Sequence, residues 1–208
     1  MTSSATFWNR IARRYAARPV ADEAAYQKKL EITRQHLRPD MKLLEIGCGT
    51  GSTAIVHAPY VKEIDAIDIS PRMIEIAEGK AAAANISNIN FRCMAIDDLS
   101  APNESFDMVL GLSILHLLEN WQAVIAQVHN MLKPGGKFVT STACIGDIMP
   151  LFRLVAPLGR AVGLMPYVSI FSADDLKGSF DSAGFSIDHE WQPGRKASVF
   201  IVAGKPDS

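Results

Sequence analysis

The sequence predicts an α/β fold: a doubly wound, mostly parallel sheet of seven strands that ends in an antiparallel hairpin. Two observations carry this expectation. From residue 41 onward, short apolar runs alternate with helical patterns, which is the rhythm of strand–helix–strand units with helices on both faces of a parallel sheet. The last two strand runs are joined only by the short turn around Pro193-Gly194. A parallel crossover takes about a dozen residues or more, so these two strands must pair antiparallel.

The elements follow in order. Amphipathic helical patterns cover about residues 5 to 17 and 22 to 37, separated by the breaker Arg18-Pro19. "MKLLEI" at 41 to 46 reads as the first strand, and a helix starts near residue 51. "IDAI" at 64 to 67 is the second strand, followed by a helix opened by Ser70-Pro71, where serine caps and proline suits the first turn. "INFRC" at 89 to 93 and "FDMVLGL" at 106 to 112 continue the sheet, and a helix over 119 to 132 is ended by Pro134-Gly135-Gly136 before the strand "KFVTST" at 137 to 142. An apolar insertion over 144 to 171 interrupts the alternation, which resumes with a helix at 173 to 183 closed by Gly184 and the strands "FSIDHEW" and "SVFIVAG". This is a Rossmann-like arrangement.

At 208 residues the chain suits one domain, since domains cluster around roughly 100 to 200 residues. Its 21 Lys plus Arg nearly cancel its 22 Asp plus Glu. No broad positive field gathers polyanions, so nucleic acid is not an expected partner. Cys48, Cys93 and Cys144 are odd in number and far apart, which suggests neither a disulfide framework nor a metal cluster and fits a reducing cytoplasm. The N-terminal stretch lacks the pattern of a signal peptide, and no uninterrupted apolar run reaches the roughly 18 residues of a membrane span. The most apolar region, 144 to 171, is broken by Pro150, Arg153, Pro157, Arg160 and Pro166. It reads as buried or substrate-facing helix, not as a membrane insertion.

"KLLEIGCGTGSTAI" holds Gly47, Gly49 and Gly51 in the first strand-to-helix turn, where open parallel sheets bind ligands. Glycine lets backbone approach a ligand with no Cβ in the way. A tight turn alone needs only one glycine. A dinucleotide loop, G-x-G-x-x-G or A, puts its last position on Ser52 and so fits imperfectly. Glu45, two residues before the first glycine, also argues against a pyrophosphate, because like charges at about 4 Å cost roughly 4 kcal/mol at an effective dielectric near 20. A ligand with a cationic amino group is favoured instead. Asp68 ends the second strand in "IDAIDIS", about 20 residues past the loop, where a carboxylate accepts from both hydroxyls of an adenosine ribose.

With "LLEIGCGTGS", "IDAIDISPRM", "ESFDMVLGLSILHLL" and "MLKPGGKFV" in this order and spacing over residues 41 to 142, the chain resembles the class I S-adenosylmethionine-dependent methyltransferases, closest to the small-molecule group of quinone biosynthesis. The resemblance implies S-adenosylmethionine as cofactor and S-adenosylhomocysteine as product. It implies that Gly47, Cys48, Gly49 and Gly51 lie along the cofactor, that Glu45 attracts its amino group directly or through water, and that Asp68 holds its ribose. Ile69 and Met73 would pack on the adenine, and the carbonyl of Leu112 would accept from the amino group. Where many relatives carry an adenine-binding aspartate this chain has Ala95; the backbone of Ile96 is left to meet the ring, and Asp97 is the candidate for the missing carboxylate.

Methyl transfer is an in-line displacement aided by alignment and exclusion of water, and it requires no metal. His116 in "SILHLL" is the candidate catalytic base for a hydroxyl acceptor, with a packed structural histidine as the alternative. The N/D-P-P-Y/F motif of many enzymes acting on nucleobase or amide nitrogens is replaced by "GLSI". In this family the N-terminal helices, here residues 1 to 38, commonly cover the cofactor as a lid. Tyr15 and Tyr26, with Trp8, are then substrate-facing candidates or ordinary core anchors. The 144 to 171 insertion occupies the place of the acceptor pocket and favours an apolar or aromatic small-molecule methyl acceptor, though packing on the sheet or a homodimer contact explains the same residues. Two other functional classes remain: a nicotinamide-dependent reductase, and a non-catalytic S-adenosylmethionine-binding regulator.

Overall fold

The computed structural model describes residues 3–149 and 165–207. Seven strands form one sheet in the order β3-β2-β1-β4-β5-β7-β6, and the chain divides into two compact units, Met1–Ser100 and Ala101–Ser208.

The first unit holds α1 (Ser3–Ala16), α2 (Glu23–Arg34), β1 (Lys42–Ile46), α3 (Ser52–His57), β2 (Glu63–Asp68), α4 (Pro71–Ala83) and β3 (Ile89–Cys93). β1 pairs parallel with β2, and β2 pairs parallel with β3. Leu43, Leu44 and Ile46 are all buried, as expected of a strand covered on both faces, where the apolar run is continuous instead of alternating. Glu45 breaks that run and is buried with it. Ser70 caps α4 by accepting from the Met73 N–H at 3.2 Å, and Pro71 occupies the first turn, as the sequence predicts.

The second unit holds β4 (Phe106–Leu112), α5 (Trp121–Met131), β5 (Leu132–Thr142), the short α6 (Ile145–Ile148), α7 (Ala173–Ser182), β6 (Ser186–Trp191) and β7 (Val199–Gly204). β4 and β5 are parallel, and β7 runs antiparallel to both β5 and β6. Phe138 of β5 meets Phe180 of α7 and Phe185 at ring-centroid distances of 5.5 and 5.9 Å. Ser172 and Asp175 form a reciprocal capping box that starts α7.

One boundary departs from expectation. The helix already ends at Met131, and Pro134-Gly135-Gly136, expected to end it, lie instead inside β5, which begins at Leu132. The Gly135 N–H donates to the Lys205 carbonyl at 3.0 Å, and the Lys205 N–H donates to the Gly136 carbonyl at 2.9 Å. The register shift between Phe106 and Met108 absorbs the extra length, as a bulge does. The expected helical insertion at 144 to 171 lies largely outside the described residues. Its described portion holds only α6 and, from residue 165, chain without helix.

Gly51 fixes how closely the glycine turn packs on Ala77 of α4 and Phe91 of β3. Its φ is +73°, and a Cβ there would stand 2.8 Å from the Ala77 Cβ and 3.0 Å from the Phe91 Cζ. The Gly51→Ala variant therefore combines a left-handed conformation, about 1 to 2 kcal/mol, with overpacking of about 1 to 3 kcal/mol. Urea denaturation is expected to register a loss of roughly 3.5 kcal/mol, the middle of the summed range.

Candidate functional site

In the first unit, β1 and β2 end side by side and their turns are stitched together. The N–H groups of Gly47 and Cys48 both donate to the Ile67 carbonyl, at 2.8 and 3.0 Å. The Asp68 carboxylate then clasps the two turns: Oδ2 accepts from the Gly49 N–H at 3.0 Å and Oδ1 from the Ser70 N–H at 2.9 Å. Each oxygen keeps a further lone pair for a ligand hydroxyl. Burial raises the Asp68 pKa, while the two backbone donors pull it back down.

Glu45 lies behind this turn. It is 3% exposed, and its Oε2 has no hydrogen-bond partner among the described residues. Burial pushes its carboxyl up to about 8, against a lowering contribution from the Ala54 backbone and with a smaller upward push from Asp68. The sequence argument treats this group as a fixed negative charge. Desolvation corrects that: in the free protein at neutral pH most Glu45 side chains carry a proton. Lys80 Nζ closes the outer side of the turn, donating to Thr50 Oγ1 at 2.8 Å and Ser52 Oγ at 3.2 Å.

The N-terminal helices reach the same turns. Asn9 Oδ1 of α1 accepts from Ser70 Oγ at 2.7 Å and from the Arg72 N–H at 3.2 Å. Tyr15 Cε1 lies 3.9 Å from where a Gly49 Cβ would stand, and burial followed by the nearby Asp68 charge raises its phenol. Tyr26 of α2 is raised chiefly by burial, then lowered by a hydrogen bond with Thr53 and raised by Glu45. Trp8 packs edge-on against Tyr15 with centroids 6.2 Å apart. Of the other predicted residues, Cys48, Met73 and Ile96 are buried, Ile69 is half-buried and Asp97 is exposed. At 2% exposure, Met73 presents almost no surface for an adenine, whereas Ile69 does.

In the second unit, Leu112 ends β4 in register with Ser141. Ser113 turns the chain with φ +61° and donates its N–H to the Ser141 carbonyl at 2.7 Å. A single 3₁₀ turn, Leu115–Leu117, then carries His116. Its carbonyl accepts from the Ser169 N–H at 2.8 Å, and Ser169 Oγ donates to the Leu118 carbonyl at 2.7 Å. The ring's Nδ1 is buried with no partner among the described residues. Burial lowers its pKa to about 4, so the imidazole is neutral at working pH and able to accept.

Sequence reasoning missed Asn9, Lys80 and Ser169. Asn9 shares the row of buried Ala5 and Ala12 on α1, at the i, i+4, i+7 spacing of a helix face. A polar residue in that row was the available signal. For Lys80 and Ser169, no local pattern marks the contact.

The turn suits a cationic, phosphate-free nucleoside. The unpartnered Oε2 of Glu45 calls for a donor, the glycines at positive φ leave backbone bare, and Asp68 has acceptor capacity to spare. Residues 43–136 match the family described as a methyltransferase domain. The chain is 29% identical over 110 residues to the uncharacterized methyltransferase YcgJ of Bacillus subtilis (strain 168), covering 53% of this chain and 44% of that one. It is 35% identical over 119 residues to the demethylmenaquinone methyltransferase of Tropheryma whipplei (strain Twist), covering 57% and 46%. The fold superposes on the S-adenosylmethionine-dependent methyltransferase of Mesorhizobium loti with TM-score 0.73 at 21% identity, covering 87% of this chain and 98% of that one. The chain spans about half the length of the curated relatives it matches.

The raised pKa of Glu45 sets a sign for stability. Its folded value is about 8 against 4.5 unfolded, so between those values the native state holds the proton that the unfolded chain has lost. Its contribution is present below about 4.5 and is lost as pH rises through about 8. Glu45→Gln removes that loss. Relative to wild type, its ligand-free unfolding free energy from urea denaturation is expected to gain steadily from pH 5 to pH 8, on the order of a few kcal/mol, while its affinity for S-adenosylhomocysteine is expected to fall at least tenfold for loss of one charge-assisted bond of about 1.5 to 3 kcal/mol.

Proposed function

We propose that the protein transfers a methyl group from S-adenosylmethionine to a small apolar or aromatic acceptor, leaving S-adenosylhomocysteine. The observation that carries the cofactor reading is the unpartnered, buried Glu45 Oε2 behind the glycine turn. Glu45 takes the ligand's amino group, Asp68 its ribose hydroxyls and Ile69 its adenine, with Ile96 and Asp97 at the ring's edge. The bound cofactor supplies an electrophilic methyl group on a sulfonium. The residues of the chain do the rest: they hold, align and exclude water.

His116 serves as the base for a hydroxyl acceptor. A base with pKa near 4 is weak, but an oxygen that is gaining a methyl group becomes strongly acidic, so late transfer to the neutral imidazole is downhill. Support for the acceptor class comes from the apolar composition of residues 144 to 171 and from the relative whose name gives demethylmenaquinone as its acceptor. In this reading residues 1–38 cover the cofactor, 41–142 bind it, 144–171 shape the acceptor site and 173–208 complete the sheet. Tyr15 and Tyr26 border the reacting end. A reducing, cytoplasmic setting suits the three free cysteines. Neither a nicotinamide-dependent reductase nor a non-catalytic regulator gains support from the family match.

Thermal-shift and calorimetric titration are expected to show binding of S-adenosylhomocysteine and none of NADH or NADPH; the reverse pattern removes the proposal. With tritiated cofactor and a cell extract, label is expected in an organic-soluble small molecule. On that acceptor, His116→Gln is expected to lower kcat by about a hundredfold or more with little change in cofactor affinity, and equal turnover would return His116 to a packing role.

A further inference from the structure

Residues 1–21 contain four arginines, Arg10, Arg13, Arg14 and Arg18, and no carboxylate, although the whole chain is nearly neutral. All four are exposed. At about 100° per residue on a helix, Arg10, Arg13 and Arg14 share one narrow face of α1. Ala5 and Ala12, 4% and 0% exposed, lie on the opposite face. That inner side is hydrogen-bonded to Ser70 and to the Arg72 N–H through Asn9, which orients the outer side. No ion pair among the described residues takes up Arg13, Arg14 or Arg18.

Apolar groups flank this basic face. The Arg10 guanidinium lies 5.6 Å from the centroid of the half-buried Phe7 ring, and Val20, just past the helix, is 47% exposed. A cleft of about 490 Å³ opens beside Arg10, lined also by Asn9, Pro71, Arg72 and Glu75. The carboxylate of that cleft, Glu75, is held by Arg72 at 2.8 Å. Among the described residues no helix is long and apolar enough to cross a membrane.

We propose that the arginine face of α1 docks the protein on an anionic lipid surface, placing the cofactor turns next to the medium in which an apolar acceptor dissolves. Basic helices with flanking apolar groups bind at the headgroup level, where each arginine gains from the negative surface potential. An acidic protein would satisfy the arginines but gives no role to exposed Val20 and to Phe7. The purpose of docking rests on the apolar-acceptor reading, whereas docking itself does not.

The test is co-sedimentation of the full chain with vesicles, without acceptor. Binding is expected to mixed phosphatidylglycerol–phosphatidylcholine vesicles and not to pure phosphatidylcholine, with weakening as salt rises. Arg13→Gln combined with Arg14→Gln is expected to lower partitioning about thirtyfold, for two charges removed. The same double variant should retain wild-type S-adenosylhomocysteine affinity, which shows it folded. Absent binding, equal binding to both vesicle types, an unaffected variant, or binding to an acidic carrier protein without binding to vesicles each overturns docking on lipid. Vesicle binding by a protein that fails to bind S-adenosylhomocysteine would instead sink the enzyme reading and leave docking standing.

Discussion

The carboxylate of Asp68 is the constraint on which the rest of the first unit depends. One oxygen holds the turn after β1 through Gly49 and the other holds the turn after β2 through Ser70. Ser70 in turn caps α4 and bonds Asn9. A single side chain thus sets the shape of the glycine turn, the start of the helix that packs against it and the seat of α1. Backbone donors on both oxygens fix the carboxylate's orientation in advance, so a ligand's hydroxyls meet acceptors that need no rearrangement.

Glu45 stands in the opposite relation to the fold. Nothing in the described residues satisfies its Oε2, and leaving a buried acceptor unpaired costs about 1 to 3 kcal/mol. A strand position that an aliphatic side chain would fill more stably holds a group left open to a donor, which in the proposed function is the ligand's ammonium. Its proton matters as well. A ligand ammonium favours the ionised form, so cofactor binding near neutral pH should displace a proton from a site that holds one when free.

Much of this was legible from residue patterns. β3 and β4 fall at the predicted residues, because each is bounded by polar turn residues and has no competing helical period. The antiparallel pairing of β6 and β7 followed from the length of their connection alone. The start of β5 was not legible: proline and two glycines read as a loop, and only the tertiary partner Lys205, remote in sequence, holds them in the strand. Gly47, Gly49, Gly51, Glu45 and Asp68 were readable because several unusual residues crowd one turn. The protonation of Glu45 was not, since desolvation depends on what packs around a group and not on its neighbours in sequence. Asn9 is intermediate, visible as a polar break in a row of alanines but silent about what it would bond.

The stitch at Lys205 has a mechanical consequence. Its N–H and carbonyl bind Gly136 and Gly135, and its Nζ donates to the Leu132 carbonyl at 2.7 Å. Tension applied to the C-terminus would load these three bonds first and only afterwards β7, which is paired along both of its edges. Such bonds share the load instead of opening one by one, and the segment behaves as an anchor that shields the hairpin from peeling.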